Sequence, residues 1–165
     1  MKIEYFHASR FGNGEQIAIE FKRIMSERDI TVNIHHMRDI RPKDIPPADL
    51  YVFSSPGCMG KPPMHVRRFL HGVNLPAGTR FALLNTQGAV SPGKDGQMPA
   101  AEEVAKLQRM TPIMTDILAE KGLSLIATET IDVFNIKGPL EEGWEQKVEA
   151  FADRLNWLLF YKSQR

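Results

Sequence analysis

Tyr5-Phe6-His7-Ala8-Ser9-Arg10-Phe11-Gly12-Asn13-Gly14-Glu15-Gln16-Ile17-Ala18 decides how this chain is read. An apolar strand over roughly residues 2–6 runs into a short polar loop with two glycines, and a helix over roughly 14–28 follows at once. Ile17, Ala18, Phe21, Ile24 and Met25 recur at helical spacing and predict one buried stripe. A strand-to-helix loop of this kind aims backbone N–H groups at one point, at the positive end of the helix dipole. The expected occupant is an anion, above all a phosphate. Ser9 and Asn13 add side-chain donors and Arg10 a charge, while Gly12 and Gly14 permit close backbone approach and positive φ.

Outward from this stretch, strand and helix patterns alternate. Ile30–His36 carries β-branched residues, and Leu50–Ser54 and Phe81–Asn85 are continuous apolar runs of the sort buried on both faces. Leu123–Phe134 is a longer, mixed strand. Met37–Pro47, with three prolines, predicts an irregular crossover. Pro62-Pro63 opens a helix carrying Val66, Phe69 and Leu70. Residues 100–110 read as helical, with Thr111 as N-cap, Pro112 at the first position and Gly122 just past the end of a restarted helix. A final helix over about 143–160 aligns Trp144, Val148, Phe151, Leu155, Leu158 and Leu159. Alternation of this kind predicts an α/β three-layer sandwich: a parallel sheet covered on both faces by right-handed crossovers.

Ligands of such sheets bind outside the carboxyl ends of the strands. Three loops are expected there: 7–14, 55–62 and 86–99. The second, Ser55-Pro56-Gly57-Cys58-Met59-Gly60-Lys61-Pro62, leaves room for a flat group and offers N–H donors to a heterocycle edge. The third begins Asn85-Thr86-Gln87-Gly88-Ala89. Together they outline a phosphate cradle with two walls for a planar ring.

On these residues the chain resembles the flavodoxin family over nearly its whole length. Ser9-Arg10-Phe11-Gly12-Asn13-Gly14 is similar to the family's Ser/Thr-x-Thr-Gly-x-Thr phosphate loop, with Phe11 and Gly14 in place of two threonines. Ser55 to Gly60 looks like the Ser/Thr-Pro-x-x-x-Gly segment of flavodoxin-like quinone reductases, and Thr86 to Gly88 like the loop bordering the flavin. The resemblance implies one domain over residues 1–165, with a five-stranded parallel sheet of order 2-1-3-4-5. It implies non-covalent FMN, with Ser9, Arg10, Phe11, Gly12, Asn13 and Gly14 on the phosphate. Pro56, Gly57, Cys58, Met59, Gly60 and Lys61, with Thr86, Gln87, Gly88 and Ala89, would flank the ring. Neither ring loop contains Phe, Tyr or Trp, so Met59, Met98 or Phe11 is expected to pack against the flavin. Lys61 is expected to stabilise the anionic reduced ring. Electron transfer between redox protein partners is the implied role. An NAD(P)H-dependent quinone or flavin reductase, or a cofactor-less interaction module, stands beside it.

Other chemistries fit less well. The Gly12-x-Gly14 pair lacks the third glycine of a dinucleotide fingerprint, Ile17 standing there. His35 and His36 are neighbours on a strand and point to opposite faces, so no shared metal is expected. Cys58 reads as a small loop residue. Ser9 lacks a nucleophile elbow. Among 165 residues, 42% are hydrophobic and 25% charged, as in ordinary globular domains. A net charge of +1 gives no strong pull toward nucleic acid. No apolar run approaches the ~20 residues of a membrane span. The charged opening strand does not read as a signal peptide, and the single cysteine fits a reducing cytoplasm.

Overall fold

The computed structural model describes residues 1–162. Strands β1 (Lys2–His7), β2 (Thr31–His36), β3 (Leu50–Ser54), β4 (Arg80–Gly88) and β5 (Ser124–Val133) form one sheet. All four pairings are parallel and the order is β2-β1-β3-β4-β5. Helices α1 (Asn13–Ser26), α2 (Met64–Gly72), α3 (Ala101–Leu107), α4 (Met110–Glu120) and α5 (Trp144–Phe160) connect and flank the strands.

Alternation along the strands divides the core between the two faces. Ile3 and Tyr5 point to the α1 and α5 side, where Phe21, Phe151 and Leu155 complete one cluster. Phe6, Tyr51 and Phe53 point to the α2 and α4 side, against Phe69, Met114 and Leu118. The stripe of α1 is buried as its spacing predicts: Ile17, Ala18, Phe21, Ile24 and Met25 are all within the core. Glu4 is a buried charged residue on β1. Its carboxylate is buried, in contact with Lys2 Nζ at 2.9 Å, Asn33 Nδ2 at 2.8 Å and His35 Nε2.

Two local expectations are corrected. β4 runs on through Gly88 rather than ending at Asn85, because residues 86–88 pair with Ile131, Asp132 and Val133 of β5. Thr111 does not cap the restarted helix. α4 begins at Met110 with Arg109 at its N-cap, and Pro112 sits in the first turn, where a missing N–H costs no hydrogen bond. The Thr111 hydroxyl instead faces Asn85 Nδ2 at 3.3 Å. The crossover after β2 contains two short 3₁₀ turns, Met37–Asp39 and Pro42–Asp44. Among the described residues, no helix is long and apolar enough to cross a membrane.

Candidate functional site

β1 and α1 lie at the point where strand order reverses, since β1 sits between β2 and β3. The loop leaving β1 therefore opens into a crevice instead of packing beneath a neighbouring crossover. Gly12 adopts φ 93°, a left-handed conformation open to glycine at no steric cost, and turns the chain into α1 as its N-cap. Its N–H donates to Ser9 Oγ at 3.0 Å, which closes the loop and leaves the serine O–H to point elsewhere. Among the described residues, the N–H groups of Phe11, Asn13, Gly14 and Glu15 meet no acceptor in the protein. Gly14 is buried against the loop: a Cβ there would lie 3.3 Å from Ser9 Cβ and 3.8 Å from Ser54 Oγ. Free amides at a helix start, where Gly14 lets the backbone come close, match the donor set of a phosphate cradle.

Two histidines hold this loop in shape. His7 and His36 end adjacent strands in register, with ring centroids 4.9 Å apart. His7 Nδ1 accepts the Ser9 N–H at 3.2 Å. His36 Nδ1 accepts the Arg38 N–H at 3.1 Å, so its Nε2, 2.9 Å from the Ser9 carbonyl, carries the proton and donates it there. Both bonds at Nδ1 require neutral rings. Burial lowers the pKa of His7. The sequence signal for this clamp is slight: a histidine at the end of each of two strands.

The second and third loops are stitched together. Gly57 N–H donates to the Thr86 carbonyl at 2.9 Å and Thr86 N–H to the Ser55 carbonyl at 3.0 Å. Asn85 Oδ1 accepts the Ser55 N–H at 2.9 Å, tying the ends of β3 and β4. Cys58 and Lys61 exchange backbone bonds of 2.8 and 3.1 Å around Met59 and Gly60, both at positive φ. This is a tight two-residue reversal. Ala89 N–H is bound to Val133. The amides of Gly57, Cys58, Lys61, Thr86 and Ala89 are thus engaged within the protein, which leaves those of Met59 and Gly60 as the second loop's free donors among the described residues.

One cavity of about 1400 Å³ lies at this end of the sheet. Ser9, Arg10, Phe11, Asn13, Gly14, Pro56, Gly57, Cys58, Thr86, Gln87, Gly88 and Ala89 line it, so all three expected loops converge. Gly12 does not; it lines a smaller depression behind the loop. Met59, Gly60, Lys61 and Met98 do not line the large cavity either. The Met59 side chain is 96% exposed, turned outward by the reversal that Cys58 and Lys61 close. Gly60 is pressed against another part of the chain, its carbonyl accepting the Arg109 N–H at 2.7 Å. Of the three residues expected to pack on a flavin, Phe11 alone reaches the cavity, clasped by Arg10 at 5.2 Å and Lys137 at 5.8 Å from its ring centre.

Segments outside the three loops also contribute. Asn135 and Ile136, after β5, and Met37 to Pro42, after β2, line the cavity with Pro63, His65, Arg68 and Phe69 at the start of α2. Turn chemistry at Asn135 and Gly138-Pro139 was the sequence trace of the first of these.

Comparison with known proteins agrees with the topology. No protein-family model matches the sequence, and no curated protein matches it. Among solved structures, oxidised flavodoxin 2 from Bacillus cereus superimposes with a TM-score of 0.71 at 21% identity, over 94% of this chain and 98% of that one. The chain has the flavodoxin-like fold. An archaeal flavodoxin gives a TM-score of 0.67 at 13% identity, covering 96% of this flavodoxin-like chain and 99% of its own. Rubredoxin oxygen:oxidoreductase from Desulfovibrio gigas gives 0.68 at 15% identity, over 99% of this chain. The chain spans only 37% of the length of that oxidoreductase.

Proposed function

We propose that this flavodoxin-like protein binds FMN and passes electrons between redox partners in the cytoplasm, as a single domain. The observation that carries the reading is the free helix start at Asn13 and Gly14 opening into the same cavity as the loops after β3 and β4. The amides of Phe11, Asn13, Gly14 and Glu15, the Ser9 hydroxyl and Arg10 would hold the phosphate. Pro56 to Cys58 and Thr86 to Ala89 would border the ring, whose chemistry is the transfer of one or two electrons. Phe11 is the aromatic that the phosphate loop offers for ring contact. Lys61 lies outside the cavity, so a direct effect on the reduced ring would require its loop to move.

Protein purified after expression with ample flavin is expected to be yellow and to release FMN on denaturation. Titrating stripped protein with FMN should quench flavin fluorescence to a one-to-one end point. Colourless protein that quenches no FMN would overturn the proposal. The cavity exceeds the roughly 300–1,000 Å³ common for single small-molecule sites, which favours the reductase reading as the second choice. Direct oxidation of NADPH by a quinone, without a partner protein, would select it.

A further inference from the structure

The cavity is uneven in charge. Its lining holds four arginines, Arg10, Arg38, Arg41 and Arg68, with His36 and His65, and no Asp or Glu. In a chain of net charge +1 with 20 acidic residues, this separation is not a composition effect. Arg10 belongs to the phosphate loop. Arg41 and Arg68 belong to the other end, between the crossover after β2 and the first turns of α2, while Arg38 also shares the smaller depression with Ser9, Arg10 and Gly12. The crossover packs on the C-terminal end of α2, where a Cβ on Gly72 would lie 2.6 Å from Pro42 Cγ.

Beneath these arginines the surface is apolar. Met37 and Phe69 are buried there, and Ile40, Pro42 and Pro63 are half-buried. The guanidinium groups are only partly neutralised. Asp44 takes Arg41 at Nε, which leaves both terminal nitrogens free, and Asp39 approaches Arg38 no closer than 3.7 Å. Arg67 is tied to the Pro62 carbonyl at 3.1 Å. Its neighbour Arg68, like His65, has no hydrogen-bond partner among the described residues. Free guanidinium forks over an apolar floor suit a molecule that is flat and apolar on one side and anionic on the other.

We propose that this end of the cavity is a second ligand site, distinct from the phosphate loop, for an aromatic anion bearing a phosphoryl or carboxylate group. Arg41 and Arg68 bind the anionic group, Arg38 and His65 add positive potential, and Met37, Ile40 and Phe69 receive the ring. The concave shape and buried apolar floor favour a small molecule over an acidic protein surface. The inference rests on the reading of the Ser9–Glu15 loop as the flavin phosphate site, which leaves this end free.

The test uses naphthyl phosphate, naphthoate and uncharged naphthalenemethanol, titrated by calorimetry into the protein with and without saturating FMN. Both anions are expected to bind in the presence of FMN, about tenfold or more tighter than the alcohol, and less tightly as salt rises. The tighter of the two anions identifies the natural group. Arg41→Gln and Arg68→Gln should each weaken anion binding about tenfold and leave FMN affinity unchanged. Displacement of the anions by FMN overturns the proposal, as does equal binding of all three probes or indifference to both substitutions. Arginine-dependent binding of polyglutamate with no preference among the naphthalenes also overturns it, in favour of an acidic protein. Arginine-dependent anion binding by a protein that takes up no FMN supports this site and removes the flavin reading.

Discussion

Gly60 separates two explanations for a glycine beside a cofactor cavity. The resemblance places it among flavin-flanking residues, whereas its surroundings make it a packing residue. It sits at φ 76°, and a Cβ built on it would stand 1.6 Å from the Leu107 carbonyl oxygen and 2.7 Å from its carbon. Backbone cannot be pushed aside as a side-chain tip can, so in Gly60→Ala the reversal at 58–61 must lift by close to its own contact distance. The left-handed conformation costs about 1–2 kcal/mol for a residue with a Cβ. The lift also breaks the Arg109 N–H to Gly60 bond and strains the two Cys58–Lys61 bonds, each contributing about 1 kcal/mol. The expected loss is about 3–5 kcal/mol, or a midpoint lower by roughly 10 °C in a chain of this size. Gly12→Ala is the comparison. Its φ of 93° brings the same conformational cost, but no atom lies within 4 Å of the added Cβ, so about 1–2 kcal/mol is expected. Gly57→Ala, at ordinary contact distances of 3.6–3.8 Å, should be nearly neutral. Urea denaturation of the three flavin-free variants measures these differences directly. A Gly60→Ala midpoint equal to that of Gly12→Ala would refute the packing argument.

Three further outcomes are expected. FMN should bind more tightly than riboflavin, and Arg10→Gln should weaken FMN about tenfold while leaving riboflavin unaffected; equal affinities in titration would contradict a phosphate cradle. The lowered pKa of His7 means the unfolded chain takes up the proton first. Stability contributed by neutral His7 is fully present above pH 6.5 and is lost as pH falls through the folded-state value, a loss that His7→Gln should reduce in urea titrations across that range. Burial acts to raise the Glu4 carboxyl, yet hydrogen bonds from Lys2, Asn33 and His35 outweigh it and hold the group below its usual 4.5. Wild-type protein should therefore lose stability below pH 4.5 as this carboxylate protonates, and Glu4→Gln should flatten that part of the profile while lowering stability at pH 7.

Much of the molecule was legible from the chain alone, because the decisive signals are local. Runs such as Leu50–Ser54 can be satisfied only between two covered faces, and the stripe Ile17 to Met25 orients α1 unaided. The polar glycine loop between β1 and α1 follows from its place after an apolar strand, so its position at the carboxyl end of the sheet was readable as well. Tertiary structure decided what depends on partners distant in sequence. Parallel pairing sets His7 beside His36, turning two strand-end histidines into a clamp on Ser9. The ladder with β5 draws Thr86 to Gly88 into β4, and the bonds to Ser55 and Val133 occupy amides that in isolation look available. Gly60 owes its role to Leu107, and the arginine wall to the meeting of the β2 crossover with α2. Composition and periodicity report the environment a residue needs. They do not say which remote group fills it, because that is fixed by strand order and register.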